Sequence, residues 1–454
     1  MLIKKKLFIL GIILACLPWP AIAQTSNQVV LSDSKRFFKQ SSPWRVQNAH
    51  GFVGPLSNVG QALADDGIHM NILMSDTFAN SGGAGDTPYT TANLARIRPE
   101  LDIDLKRFGL PQTQIIAAFT FFAFRRNPYQ YQSLVGVSAL GAVIGVHKPP
   151  YQLSRLALLQ DFYKNKLEFE IGQTNPSYDF DPNVCGPSPA CAGAIAKYVG
   201  GMEPPDNGQL GAILRITLPQ QLFFKAGIFD MRPSASFKTG VNFLMADSQG
   251  GEGDLQIGRS TNFKNAYLPG SYELTGVYNS EKVINGENKQ AEYGAGAVIL
   301  TGTQTIWRSD NKDGIFPMHH LDLWTKTGYS PNKNESFDKE VNIGLNYYGL
   351  LPQRPYDSVG FRFSYYHLTN SGLAAEEARR VKLGGSSVRT KANEFTYSVL
   401  TTFDLYRHAT LTPDFMYVLN PDDFSGNSKR LPHDGWQLTL TLRVPLGSIL
   451  GLSS

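Results

Sequence analysis

Between Asn93 and Lys106, the charged residues Arg96, Arg98, Glu100, Asp102, Asp104 and Lys106 occupy even positions, while Ala95, Ile97, Pro99, Leu101, Ile103 and Leu105 occupy odd ones. Guanidinium forks and carboxylates lined up on one face offer donors and acceptors in pairs. Such pairs engage the vicinal hydroxyls of neutral polyols bidentately better than they attract ions of one sign. The plainer alternative is that the charges only hydrate a wet wall. Enzymatic uses fit less well. Asp102 and Asp104 lie roughly 7 Å apart on one strand face, a separation that suits inverting acid–base catalysis, but the neighbouring arginines keep both ionised and leave no proton donor. Among the eight histidines His319 and His320 form a pair, with no nucleophile beside them. No catalytic residue is expected.

Metal and cofactor chemistry is equally thin. The runs Gly82, Gly83, Gly85, Asp86 and Gly250, Gly251, Gly253, Asp254 could be calcium turns, but no repeat period supports that, and they read as flexible loops. Cys185 and Cys191 have no further Cys or His nearby to complete a metal site. In an exported chain the two read as a local disulfide that stiffens one Gly- and Pro-rich loop.

A period of two means a strand. One apolar face and one face charged with both signs cannot be packed against protein on both sides. The signature recurs in Leu167 to Gln173, Leu210 to Leu218, and the segments from Val341 and Val359, and it returns near the C-terminus, where Trp436, Leu438, Leu440 and Leu442 oppose Gln437, Thr439, Thr441 and Arg443. Short turns are read at Phe108 to Pro111, Tyr163 to Lys166, Pro219 to Gln221, Thr301 to Gln304, Leu351 to Tyr356 and Asp404 to His408. Long connections are read at Asn127 to Pro150, Asn175 to Asn207, Met231 to Asn265, Ser309 to Phe316 and Ser371 to Lys391. These alternations predict an all-β fold: a transmembrane antiparallel β-barrel of about sixteen strands, with short periplasmic turns and long external loops. Tyr347, Tyr348, Tyr365, Tyr366, Tyr397, Tyr406, Tyr417 and Trp436 lie near strand ends, as an interfacial girdle requires. Phe122, Phe124 or Trp324 could stack on a pyranose ring, although packing against an inward-folded loop is the simpler reading.

The whole chain of 454 residues carries 42 Lys and Arg against 38 Asp and Glu, a net charge of +4. Balance this even excludes a basic nucleic-acid footprint. Lys4, Lys5 and Lys6, the apolar stretch Leu7 to Leu17, and Ala21 and Ala23 form a secretory signal over residues 1–23, cleaved before Gln24; lipidation at Cys16 is the alternative. Residues 24–66 form an N-terminal segment in which Leu56, Val59 and Leu63 predict a short helix. Residues 67–445 form the barrel, and 446–454 a tail.

Specific residues carry a family resemblance. The run Leu411 to Pro421, preceded by Glu394 and Tyr397, resembles the penultimate-strand signature of the carbohydrate-selective OprB-type porins. Leu63 with Gly67 and Ile68, then Gly82, Gly83 and the charged strand Leu101 to Leu110, resembles that family's N-terminal strands. Tyr347 to Pro355, with Asp357, Val359 and Gly360, resembles a family turn, and Cys185 and Cys191 a cysteine pair in a family loop. The resemblance implies a sixteen-stranded barrel in the outer membrane of a Gram-negative bacterium that passes monosaccharides such as glucose passively. It places Arg96, Arg98, Glu100 and Asp102 at a constriction; Asp104 joins them as a lining residue by its place in the line. The partners implied are small neutral sugars, the bilayer and lipopolysaccharide; self-association stays open. Two other readings share the barrel: a general-diffusion porin, and a non-conducting barrel that binds glycans or a partner through its loops. One departure is that the chain runs past Val444 to Ser454 instead of ending on an aromatic residue.

Overall fold

A computed structural model describes residues 52–126, 128–141, 149–163, 166–181, 193–232, 236–243, 250–262, 268–309, 319–351, 354, 356–405 and 408–453. Residues 1–23, read above as a secretory signal, together with Tyr406 and the loop residues Cys185 and Cys191, lie outside these residues. Sixteen strands follow one another: β1 (Ile68–Asn80), β2 (Thr91–Asp104), β3 (Thr113–Arg126), β4 (Tyr151–Phe162), β5 (Leu167–Thr174), β6 (Gln209–Thr217), β7 (Leu222–Asp230), β8 (Gly251–Asn262), β9 (Leu268–Ile284), β10 (Ala291–Arg308), β11 (His320–Tyr329), β12 (Phe337–Tyr348), β13 (Ser358–Leu368), β14 (Asn393–Asp404), β15 (Thr410–Leu419) and β16 (Gly435–Val444). Each pairs antiparallel with its sequence neighbours, and β1 pairs with β16 from Met74 opposite Val444 to Asn80 opposite Leu438, which closes the barrel. Closure leaves no open edge for lipid to face.

The side-chain alternation decides which face meets lipid. Phe119, Leu158, Ile171, Leu255, Leu345 and Phe361 point outward and are exposed, an apolar band that hydrocarbon covers. Stacked outward aromatics, such as Phe415 on Trp436 (ring centroids 5.8 Å) and Trp307 on Tyr347 (6.2 Å), stiffen that surface. Two of the tyrosines expected in the girdle point inward instead. Tyr366 is buried among apolar side chains, and Tyr348 stacks on His320 at 4.4 Å.

Three expectations about connections need correction. Thr301 to Gln304 is not a turn but the middle of β10, whose 18 residues were split in two by a Thr–Gly–Thr run that reads as a break. Met231 to Asn265 is not one loop, because β8 lies inside it with Leu255 and Ile257 outward and Glu252, Asp254 and Gln256 buried inward. The same strand removes Gly251, Gly253 and Asp254 from the candidate calcium turns. Ser309 follows β10 at the periplasmic end, so the connection it opens is not an external loop. A missed strand and a split one offset each other in the count of sixteen.

At the periplasmic end, β16 stops at Val444 and leaves the β1 segment 68–73 without a strand on that side. Helix Leu446–Leu450 fills the gap: a Cβ on Gly447 would fall 2.8 Å from the Ile72 nitrogen, so only glycine permits the approach. Helix Ser57–Asp65 packs on this tail, with Leu56 N–H donating to Leu450 O at 2.8 Å and Gly60 against Gly451.

Candidate pore constriction

The even residues of β2 face the lumen. Opposite them, a register shift between Ala95 and Arg96 on the β2–β3 pair turns Phe122 inward beside Arg96 and leaves Phe124 outward and 54% exposed. Phe122 packs with Tyr131, Val135, Val137 and Leu140 of the loop between β3 and β4, so it serves packing. Trp324 also faces the lumen and is buried over Gly344.

The loop between β5 and β6, here L3, turns into the barrel through its described arms 175–181 and 193–208. Asn175 Nδ2 donates to Pro204 O (2.9 Å) and Asn207 O (2.5 Å), and Tyr178 Oη donates to Pro205 O (2.6 Å), so the arms hold each other. One anchor is the wall from β4 to β7. Arg215 grips Asp179 with both ends of its guanidinium, Nε to Oδ1 at 2.7 Å and Nη2 to Oδ2 at 2.6 Å. The same guanidinium bonds Glu168 and Glu170, and Arg155 bonds Glu170 from the other side (Nε 2.9 Å). Burial acts to raise the Asp179 carboxyl, but the Arg215 guanidinium prevails and holds it below the usual carboxylate range.

A second anchor lies on β2. Arg98 bonds the Tyr178 hydroxyl and covers its ring at 5.1 Å, and Arg155 approaches the same ring at 5.8 Å. Burial pushes the Tyr178 phenol up to about 12, so it stays a donor. Arg96 reaches Asp206 of L3 at 2.9 Å, and Thr120 Oγ1 donates to the other Asp206 oxygen at 3.1 Å. The third anchor is across the lumen, on strands half the barrel away. Lys326 of β11 pairs with Asp181, Glu340 of β12 accepts from the Ile195 nitrogen at 2.8 Å, and Tyr198 packs on Phe337. The apolar residues Phe180, Ile195, Val199 and Met202 lie against Ile213, Phe229, Val277 and Ile299 of the wall. L3 therefore lines the β6–β13 side and narrows the lumen.

The structure separates the five residues expected to line the pore. Arg98, at 5% exposure, is an anchor for L3, with Glu100 4.0 Å from its Nε. Arg96 keeps 20% of its side chain exposed and shares a cross-strand row with Ser75 and Arg443 of the inner wall. Asp102 is buried lower on the same face, opposite His69. Asp104 stands apart: its Oδ1 accepts the Lys106 N–H at 2.8 Å and caps the periplasmic turn. Sequence reasoning missed Arg155, Tyr178, Asp179, Asp206 and the central role of Arg215. Glu168, Glu170 and Arg215 were visible as polar faces of strands, but the loop carboxylates that join them were not.

Among the described residues no helix is long and apolar enough to cross a membrane. The model of the carbohydrate-selective porins, OprB family, matches residues 90–431. The high-pH structure of Pseudomonas putida OprB superposes with a TM-score of 0.74 at 16% identity, covering 88% of this chain and 99% of that one. The low-pH structure of Pseudomonas putida OprB gives 0.53 at 12% identity, over 88% and 100%. No curated protein sequence matches the chain. At such identities the structures speak for the barrel alone, whereas the family match spans about three quarters of the sequence. With its closed sixteen-stranded wall and inward loop, the chain belongs to the OprB family of carbohydrate-selective porins.

Proposed function

We propose that this sugar-selective porin of the Gram-negative outer membrane passes neutral monosaccharides such as glucose, passively and down their gradient. In this reading the path runs between L3 and the arc from β14 through β16 to β2, past Arg96, Ser75 and Arg443. The observation that carries it is the state of Arg96. It is the least buried member of the β2 charge line within the lumen and is already balanced by Asp206. A compensated pair gives hydroxyls both donors and acceptors without setting up a strong field for ions of one sign. Arg98, Glu100 and Asp102 support the same wall, and Asp104 takes no part in it. The outward apolar band is matched to acyl chains of the bilayer and of lipopolysaccharide.

Liposome swelling tests the neutral preference. Glucose, gluconate and glucosamine have similar size and differ in charge. The proposal expects glucose to enter fastest and both charged analogues to lag. Rates ordered by size alone would replace it with general diffusion.

A further inference from the structure

Asp86 ends the glycine-rich run of the first external loop, and its side chain is fully buried. Neither carboxylate oxygen receives a hydrogen-bond donor. The group is cradled by glycines from two other loops. A Cβ on Gly136 would fall 2.7 Å from Asp86 Oδ2 and 3.0 Å from Oδ1, and one on Gly426 would fall 2.7 Å from Oδ2. That same point above Gly426 is 1.7 Å from Asp423 Oδ1, another buried oxygen that no donor reaches. Three acceptor oxygens thus converge where three loops meet. Main-chain bonds hold the meeting point: Asp86 N to Val135 O (2.9 Å), Gly85 N to His433 O (2.9 Å) and Ser425 N to Gly136 O (2.8 Å).

The surroundings are acidic. Arg380 takes the other Asp423 oxygen at 2.6 Å and Arg379 approaches Oδ1 at 3.9 Å, while Glu376 accepts the Asp423 N–H and Glu394 the Asp422 N–H. Five carboxylates, those of Asp86, Glu376, Glu394, Asp422 and Asp423, face two guanidinium groups. Asp422 is satisfied by Ser138 and Phe424 N–H groups at 2.9 Å each. Asp86 has no such donor, and two buried carboxylates edge to edge need a cation or a shared proton between them.

We propose that a divalent cation, calcium by the hardness and number of the oxygens, binds between Asp86 and Asp423 and ties the loops 81–90, 128–141 and 420–434 together at the external mouth. Asp86 supplies two oxygens and Asp423 one, and main-chain carbonyls and water complete the six to eight that calcium takes. Among the described residues no group of three or more His, Cys, Asp or Glu side chains is arranged to hold a metal. A site with only two carboxylates belongs to the weak extracellular class, with a dissociation constant on the order of 10⁻⁴ to 10⁻³ M.

The test is calorimetric titration of the full-length, detergent-folded barrel with calcium chloride near pH 8, after chelation, alongside protease digestion of the external loops. The expected result is one calcium per chain, at least tenfold weaker binding in Asp86→Asn and Asp423→Asn, and calcium-dependent loop protection that both variants lose. Asp65→Asn, on the periplasmic helix, serves as a control and binds as wild type. If the variants fail to fold, saturable one-to-one binding by the wild type with loop protection still supports the site. A folded wild type that shows no binding up to about 10 mM calcium, or variants that bind as well as wild type, overturn the proposal and leave a shared proton between the carboxylates. Neither readout depends on conduction, so that failure would leave the porin reading intact.

Discussion

Arg215→Met tests whether ion pairing holds L3 in the lumen. The guanidinium bonds Asp179 twice, at 2.7 and 2.6 Å, Glu170 at 2.6 Å and Glu168 as well, with 1% of the side chain exposed. Methionine keeps much of the length and apolar volume but leaves three carboxylates to Arg155 and Lys225. Breaking a buried ion pair by removing one partner costs about 3–5 kcal/mol. Glu170 retains Arg155, so the strands keep their pairing; Asp179 retains only Lys225, at 3.8 Å. Asp179 is carried by L3, and undocking returns its charge to water. Even 3 kcal/mol shifts a docking equilibrium roughly 150-fold. In planar bilayers the variant is expected to give larger, noisier channels with weakened sugar block, while its barrel keeps wild-type gel mobility and strand content. Adding Asp179→Asn removes the stranded charge and is expected to quiet the channel again. A folded Arg215→Met protein with wild-type conductance and block would refute the reasoning.

Three more outcomes follow from the same geometry. Arg96→Ala should weaken glucose block by about one to two orders of magnitude, the loss of one charge-assisted bond, and shift the reversal potential toward cation preference; Arg98→Ala, by freeing Tyr178, should also change the open conductance. The Asp179 carboxyl sits below the usual range, so its contribution to docking is present above that range and lost only as pH falls through the depressed value. The Asp179–Arg215 part of the docking should therefore persist below the usual carboxylate range and be lost only in stronger acid, so the Asp179→Asn variant and wild type should differ in conductance down to about pH 5 and converge below it. Truncation after Val444 uncovers the β1 segment 68–73, and thermal melts should show a destabilised barrel that unfolds from the β1–β16 seam; an unchanged melting midpoint would mean the tail helix covers nothing of consequence.

The wall was legible because lipid outside and water inside impose a strict period of two. β2, β5, β6, β12, β13 and β16 could be read from alternation alone, and Arg96 to Asp102 could be placed on one face. β8 was not readable, since Gly250, Gly251 and Gly253 imitate a loop while its inward residues Glu252, Asp254 and Gln256 give no apolar rhythm. β10 was broken at Gly302, which the ladder tolerates in mid-strand between Tyr272 and Thr325. The constriction was half visible. Asp179 and Asp206 sit in a Pro- and Asn-rich loop whose course is set by long-range pairing with Arg215 and Arg96, and no local pattern records that. Asp104 shows the converse limit: it shares the alternation, yet lies at the strand's end, where a turn needed a cap.

The most direct test of the central claim is single-channel current through the purified protein in a planar bilayer while glucose is titrated on one side. Discrete channels whose conductance falls with millimolar glucose, and a weaker fall in Arg96→Ala, are the predicted result. Channels indifferent to glucose would contradict the sugar-contacting path along Arg96, and a folded, inserted barrel that passes no current would contradict the open passage itself.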